Sequence, residues 1–495
     1  LAWQFKEALN WRLRGEAEDM DSKMPLVERL VEHAKKSPVS FHVPGHKGNA
    51  GLLGAGVSFF GEVPRYDLTE LPGLDNLHSP AGAIRDAQQL AAKAYGADYT
   101  YFLVNGSTVG ILASMLSATR PGDTVMVDRG CHSSVFSGLV LGRLKPVYLP
   151  RPVDPVTGIP LAISPEEVER GLGKAGRVKA AIITNPTYYG ICSDVKAIAD
   201  RVHEKGALLI VDEAHGAHFK FGDGLPESAL DGGADLVVQS AHKTLPAMTQ
   251  GSWLHVKGAG VDRERLERML GMLQTTSPSY IIMASLDSAR YMMEREGARC
   301  LGEVLGYAVR ARLEINGMGK GFFCPDGQYF KAKGCHDFDG TKLVINCSGA
   351  GLTGQRLDHF LRNQCGVYGE LYDLANWLGV TTAASRWKDF ERLVQGLNGL
   401  MPEPVNGDLL PRFEDLRLDT AADPWEVAEV RCSRVVLDQA EGRTACSGVI
   451  PYPPGIPLVC PGERFSARAI ELIKEYSAFG ITIKGLKDGQ VDVVE

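Results

Sequence analysis

The chain has 495 residues, with 53 Lys+Arg against 60 Asp+Glu and a formal net charge of −7. That length exceeds one ordinary core and suits two or three domains. The negative balance offers no basic surface for nucleic acid, and no apolar run reaches the ~18 residues of a membrane span. Leu1 to Arg14 mixes charge with apolar residues instead of building a signal-peptide core, and the start at Leu1 fits a trimmed N-end. The 10 cysteines are scattered with no C-x-x-C pair, which predicts free thiols in a reducing, cytoplasmic setting. Cys324, Cys335 and His336 match no common ligand spacing, so no metal is expected.

In chain order, residues 1–23 are polar and acidic, and a helix is predicted over Pro25 to Lys36, with Leu26, Leu30 and Val31 on one face. A loop rich in Gly, Pro and His follows at 42–48. Ala81 to Tyr95 reads as a helix ended by Gly96. Strand and helix signals then alternate. Strands are predicted at Tyr101–Val104, Val125–Val127, Val178–Thr184, Leu208–Val211, Leu236–Gln239 and Trp253–Val256. Short apolar strands separated by helices predict an α/β fold with a mainly parallel sheet covered on both faces. A long helix is expected from Met283 to about Leu313, then a strand over Thr341–Cys347 and a helix to Asn363. The predicted organisation is an N-terminal segment (1–49), a major domain (50–290), a small α+β domain (291–400), a linker (401–425) and a C-terminal domain (426–495).

Polar clusters stand at successive strand ends, where open α/β sheets bind ligands. Asn105-Gly106-Ser107-Thr108 lies between a strand and a helix; it suits a phosphate or a plain helix cap. Cys131-His132-Ser133-Ser134 offers an imidazole to stack on a planar cofactor, or a packing residue. Thr184-Asn185-Pro186-Thr187-Tyr188-Tyr189-Gly190 puts Asn185 within reach of a phenolic oxygen. Asp212-Glu213-Ala214-His215-Gly216 ends a buried strand. Its Asp is either a helix cap or the carboxylate that keeps a pyridine nitrogen protonated. Ser240-Ala241-His242-Lys243-Thr244 places a lysine poised for a Schiff base behind the next strand.

Taken together, these motifs resemble the fold type I pyridoxal-phosphate enzymes, and specifically the Orn/Lys/Arg decarboxylase family. The likeness includes His42-Val43-Pro44-Gly45-His46-Lys47, Leu68-Thr69-Glu70-Leu71, Gly73-Leu74-Asp75, Thr276-Ser277-Pro278-Ser279-Tyr280 and Tyr452-Pro453-Pro454-Gly455-Ile456-Pro457. It spans about 24–480. One departure is Asp75-Asn76, where the family often has two acids. The length resembles the shorter Gram-positive form, without room for an N-terminal wing domain.

The resemblance implies a pyridoxal 5'-phosphate cofactor, with Lys243 carrying it and Asp212 at the pyridine nitrogen. His132 would stack on the ring and His215 would lie near its phenolic oxygen. Gly106, Ser107 and Thr108, with Ser240 and His242, would hold the phosphate. Ser277 would reach the phosphate of a neighbouring subunit, which implies a homodimer or higher oligomer with shared sites. The implied reaction is decarboxylation of a basic amino acid, foremost arginine to agmatine and CO2 in polyamine biosynthesis, with lysine and ornithine as alternatives. The proton donor at Cα is left open between Lys243 and a nearby histidine. All three substrates carry a distal cation, so the site needs a carboxylate far from the cofactor. Glu463, Glu70, Asp75 and Glu370 are the candidates. Glu463 stands first, because the rigid Pro-Gly cluster before it would project it towards a site.

Two rivals use the same fold, an aminotransferase or lyase and a regulatory binding protein without turnover. The second would be expected to have lost Lys243 or Asp212. Gly349-Ala350-Gly351-Leu352-Thr353-Gly354 matches a dinucleotide fingerprint in letters, but no repeated βαβ pattern surrounds it, and a tight turn is the expectation.

Overall fold

The computed structural model describes residues 23–51, 59–402, 416, 418–452 and 455–495. Residues 1–22, most of the predicted linker and Pro453-Pro454 of the Pro-Gly cluster lie outside the described residues.

Seven strands form the central sheet: β1 (Tyr99–Leu103), β2 (Thr124–Asp128), β3 (Lys145–Leu149), β4 (Val178–Thr184), β5 (Leu208–Asp212), β6 (Leu236–Gln239) and β7 (Ser252–Val256). Their spatial order is β1-β7-β6-β5-β4-β2-β3. Only β7 runs against its neighbours; β2, β3, β4, β5 and β6 pair in parallel. Successive residues of a strand point to opposite faces, and the two cores follow that alternation. Met126, Ala181, Ile183, Leu209, Val211 and Val237 enter one core. Val125, Val127, Ala180, Ile182, Ile210, Leu236 and Val238 enter the other. Both faces are therefore covered, as a parallel sheet requires.

The six predicted strands are present, most of them a residue or two longer than expected. β3 was not predicted. Its sequence, Lys-Pro-Val-Tyr-Leu, carries a proline that lacks a ladder donor, which an edge strand tolerates, and β3 is the sheet's edge.

The helices that bear on the site are α1 (Pro25–Lys35), α2 (Ala83–Tyr95), α3 (Gly106–Ala118), α4 (Ser133–Gly142), α5 (Arg263–Leu273) and α6 (Tyr280–Asn316). Gly96 ends α2 at φ 72°, the left-handed conformation that glycine adopts without strain. Helix α6 runs 37 residues, roughly 55 Å at 1.5 Å per residue. Its first half packs into the major core through Met283, Leu286 and Met293. Its second half supplies Val304, Ala308, Ala311 and Ile315 to the smaller core. One rod therefore sets the smaller unit against the carboxyl edge of the large sheet.

That smaller unit holds β8 (Lys342–Asn346), β9 (Leu371–Tyr372) and β10 (Asn376–Val380), antiparallel in the order β8-β10-β9. The glycine-rich turn at 349–354 joins β8 to α7 (Gly354–Cys365). A Cβ on Gly354 would meet Asn376 O at 2.2 Å and Asp373 O at 2.4 Å, so this glycine serves close packing. An antiparallel sheet here gives no dinucleotide crevice, and the turn is structural.

The C-terminal part carries β11 (Cys432–Val436), β12 (Leu486–Lys487) and β13 (Gln490–Val494), in the order β11-β13-β12. Here one expectation fails. Cys432 and Cys446 form a disulfide, and eight cysteines are unpaired. Cys432 pairs with Val494 in the ladder, and Ala445 bridges Val493. Adjacent register thus brings the two cysteines to a Cα separation of 6.3 Å, inside the range a disulfide spans. No local cysteine pattern announces it. Among the described residues, no helix is long and apolar enough to cross a membrane.

Candidate active site

The carboxyl ends of the strands build one cavity. After β1 the chain turns through Gly106 at φ 75° into α3. Asn105 does not cap that helix with its side chain; its Oδ1 instead accepts from the Thr275 amide at 3.0 Å. The first-turn amides of α3 are left without a side-chain cap beside a cluster of hydroxyls. Ser107 Oγ lies 2.6 Å from Ser240 Oγ and donates to Ser252 Oγ at 3.1 Å. Such a helix end is an anion site.

The end of β2 is pinned to that of β4. Asp128 accepts from Arg151 Nε at 2.8 Å and from the Thr184 amide at 3.0 Å. Four residues on, His132 caps α4, its Nδ1 accepting from the Ser134 amide at 3.2 Å. Burial lowers its pKa, and Asp212 opposes that.

Asp212 ends β5, is 4% exposed and accepts from the Ala214 amide at 3.1 Å. Burial pushes its carboxyl up, while Lys243 and His132 hold it back. Lys243 sits on the single turn Ala241–Thr244 after β6. Its Nζ lies 3.2 Å from His215 Nε2 and 5.5 Å from the centre of the Tyr188 ring. Burial pushes the Lys243 ammonium down; Asp212 and then Glu370 pull it up. His215 also meets the Tyr188 ring at 4.7 Å, and its Nδ1 lies 3.5 Å from Lys342 Nζ. Burial, followed by the charges of Lys243 and Lys342, sets its pKa well below the ordinary imidazole value.

These side chains enclose a cavity of ≈ 220 Å³, completed by Thr184, Pro186, Thr249 and Gln250. Thr184 Oγ1 and Asn185 Nδ2 are buried here without a hydrogen-bond partner. An uncapped helix end with hydroxyls, a buried carboxylate and an imidazole on the same cavity, and a lysine whose pKa burial lowers together fit a planar, phosphate-bearing cofactor.

The sequence matches the family model "Orn/Lys/Arg decarboxylase, major domain" over residues 24–389, and the family's C-terminal domain over 415–487. The chain belongs to the Orn/Lys/Arg decarboxylase family. An arginine decarboxylase of Bacillus subtilis is 34% identical over 475 residues, covering 95% of this chain and 97% of that protein. A lysine decarboxylase of Pseudomonas aeruginosa is 27% identical, covering 93% of this chain and 76% of that protein. In architecture, the lysine decarboxylase of Francisella novicida superposes with a TM-score of 0.82 at 22% identity, over 96% of this chain and 82% of that one. The fold is that of the type I pyridoxal-phosphate enzymes, as expected, and the family's members are PLP-dependent decarboxylases.

The structure brings together most of the residues expected of the site. Gly106, Ser107, Thr108, His132, Asp212, His215, Ser240, His242 and Lys243 all line the cavity. Asn185 does not; it stands just behind the wall, its Oδ1 accepting from the Ser193 amide at 2.8 Å. Ser277 is exposed beside the phosphate-type loop, its amide donating to Thr275 Oγ1 at 3.1 Å, and it is not part of the cavity wall.

The four candidate acids separate. Glu463, placed first, is 1% exposed and is taken: Arg129 holds it through both terminal guanidinium nitrogens, and the Cys460 amide donates to it at 2.7 Å. Asp75 is also spent. It accepts from the amides of Asn76, Ala81, Gly82 and Ile84 at 2.8–2.9 Å, holding the entry to α2. Burial alone would raise its carboxyl, but these amides outweigh it and hold the pKa below the ordinary value. Glu70 is exposed, and its charge bears on Tyr280, whose hydroxyl donates to Asp75 O at 2.5 Å. Glu370 is exposed, and its charge bears on Lys243, Lys342 and Tyr188.

Two residues escaped the sequence reading. Tyr188 lies inside a quoted motif, and an aromatic ring just after a strand end was the available signal. Lys342 opens a strand, Lys-Leu-Val-Ile-Asn, in the smaller unit, and nothing local marks it.

Proposed function

We propose that this chain decarboxylates arginine to agmatine and CO2 with pyridoxal 5'-phosphate. The observation that carries the reading is the convergence of Lys243, Asp212 and the uncapped end of α3 on one cavity. Arginine is preferred to lysine because relatives 33–35% identical over at least 90% of the chain are named arginine decarboxylases. Those named lysine decarboxylases are 24–27% identical.

The cofactor, when bound, supplies an electron sink conjugated to the substrate's Cα. Ser107, Thr108, Ser240 and the amides of α3 would hold its phosphate. His132 would lie against its ring, and Asp212 would keep a proton on the ring nitrogen. Lys243 would anchor the cofactor through its side-chain nitrogen. Tyr188 and His215 pack beside Lys243 and keep bulk water from the reacting carbon. Glu370 receives the distal guanidinium. Ser277, free of its own subunit's cavity, serves the cofactor phosphate of a partner in a homodimer. We place the enzyme in the cytoplasm.

Purified protein supplied with the cofactor and, in turn, arginine, lysine and ornithine tests the substrate. Agmatine is the expected main product. Cadaverine or putrescine in excess would replace arginine, and a keto acid without CO2 would replace decarboxylation by transamination.

A further inference from the structure

The Cys432–Cys446 bridge is the chain's sulfur centre most open to solvent. Cys432 is exposed and Cys446 half-buried; the eight free cysteines are all buried or half-buried. Burial pushes the thiols of Cys131, Cys192 and Cys460 up, which keeps them protonated and inert. Cys432 opens β11, an edge strand of its sheet, so no further strand covers its outer side.

The bridge also stands between two points at which the C-terminal part holds Arg129. One residue before Cys446, the Ala445 amide donates to Glu463 O at 2.8 Å, and Ala445 O accepts from the Gly462 amide at 2.8 Å. Three residues after it, Val449 O accepts from the Leu458 amide at 2.9 Å. Glu463 and Leu458 are the groups that grip Arg129, one through its carboxylate and the other through its carbonyl at 3.0 Å. Arg129 stands three residues before His132, which lines the cavity. The disulfide thus fastens to β11 the stretch 445–449, on which both anchors of Arg129 hang.

We propose that Cys432–Cys446 is a reversible thiol-exchange site whose redox state sets how firmly the C-terminal part holds Arg129, and through Arg129 the seating of His132. In the cytoplasm, where we place the enzyme, such a bridge meets small-molecule thiols and serves as a redox sensor, not a permanent staple. The thiolate of a monothiol attacks Cys432 Sγ; the S–S bond breaks, and its electron pair leaves with Cys446 Sγ, which takes a proton. A second thiolate attacks the outer sulfur of the mixed disulfide, and Cys432 Sγ leaves with that electron pair and takes a proton. The bridge gains two electrons and two protons, and two small thiols become one small disulfide, which drives the reverse. Opening returns freedom to the loop of 14 residues that the bridge closes, so 445–449 loosens and its hold on Glu463 and Leu458 weakens.

The test keeps full-length native protein in glutathione buffers of graded thiol-to-disulfide ratio, alkylates it and reads each cysteine by mass spectrometry. The bridge should open and re-form across the series while the eight free cysteines stay thiols. Hydrogen exchange then compares the oxidised and reduced proteins. Reduction should speed amide exchange in 444–449 and 458–463 by about tenfold and in 129–132 by about threefold. After anaerobic desalting, affinity for pyridoxal 5'-phosphate, read from visible absorption without substrate, should fall by about threefold. Cys432→Ser and Cys446→Ser should each reproduce the reduced values and lose all response to the buffer. None of these readouts uses turnover, so they stand or fall apart from the reaction assigned above. A bridge that stays closed across the series, or thiols that never pair, would overturn the exchange site. Exchange at the cysteines with 129–132 and cofactor affinity unmoved would overturn the link to His132.

Discussion

Arg129 grips Glu463 with both terminal nitrogens of its guanidinium, and Arg129 Nη2 also donates to Leu458 O at 3.0 Å. Arg129 stands three residues before His132, and Glu463 lies in the C-terminal part. The contact therefore ties the loop that carries His132 to the chain's last 40 or so residues. Breaking a buried pair by removing one partner costs about 3–5 kcal/mol, because the other charge stays buried and uncompensated. Glu463→Ala should lower stability by that order in denaturant titration, with KM for arginine within twofold in the protein that remains folded. A large rise in KM at unchanged stability would return Glu463 to the substrate.

Asp75 provides a pH test. Its folded pKa lies below the ordinary aspartate value because backbone amides bind the carboxylate. A depressed folded pKa gives stability that is complete above the unfolded value, about pH 4, and is lost as pH falls through the folded value. Asp75→Asn should cost about 1–2 kcal/mol at pH 7 and flatten the fall in stability below pH 4. The same slope in both proteins would show that other carboxylates carry the acid transition.

Much of this site is legible along the chain, because each of β1, β2, β4, β5 and β6 is a short apolar run closed by a polar cluster. A parallel sheet collects those clusters at one edge. The acids were not legible in the same way. Whether Glu463 or Glu370 is free depends on partners far away in sequence, and Arg129 is 334 residues from Glu463. Lys342 was invisible for the same reason, since its partner His215 lies 127 residues upstream. The Cys432–Cys446 bridge follows from ladder register, which no cysteine spacing encodes.

Asp212 and Lys243 divide their labour, and substitution should separate them. Lys243→Ala should abolish turnover together with the visible absorption of the lysine-bound cofactor. Asp212→Asn should still bind cofactor but lose kcat by several orders of magnitude, because an amide does not stabilise the pyridinium charge. Near-normal kcat in a cofactor-loaded Asp212→Asn protein would assign the ring nitrogen to another group.

Ser277 is testable by mixing subunits. Ser277→Arg protein and Lys243→Ala protein should each be inactive. If Ser277 serves the partner's cofactor, a heterodimer carries both lesions in one site and neither in the other. Activity should then recover to about a quarter of native after random exchange, since half the dimers are mixed and each has one intact site. No recovery after exchange is demonstrated by mass spectrometry would confine Ser277 to its own subunit.

Glu370 is the remaining acid of the four whose charge acts on Lys243, and it acts on Lys342 and Tyr188 as well. It is exposed, whereas Glu463 and Asp75 are spent on internal partners. Its main chain is anchored, the amide donating to Leu378 O at 2.8 Å in the smaller unit's sheet, so the carboxylate projects from a fixed strand edge. A guanidinium presents two parallel N–H groups to one carboxylate, and an ammonium presents a point charge. Glu370→Gln should therefore raise KM for arginine by roughly tenfold, the scale of one hydrogen bond to a charged group, and raise it less for lysine. Loss of the negative charge also disfavours the Lys243 ammonium, so Lys243 in cofactor-free Glu370→Gln protein should react with an amine reagent at lower pH than in the native protein. Both shifts together assign Glu370 to the substrate side of the cavity. A change in Lys243 reactivity with KM unmoved for arginine would leave Glu370 as a charge near the cofactor and pass the guanidinium to Glu70 or to a partner subunit.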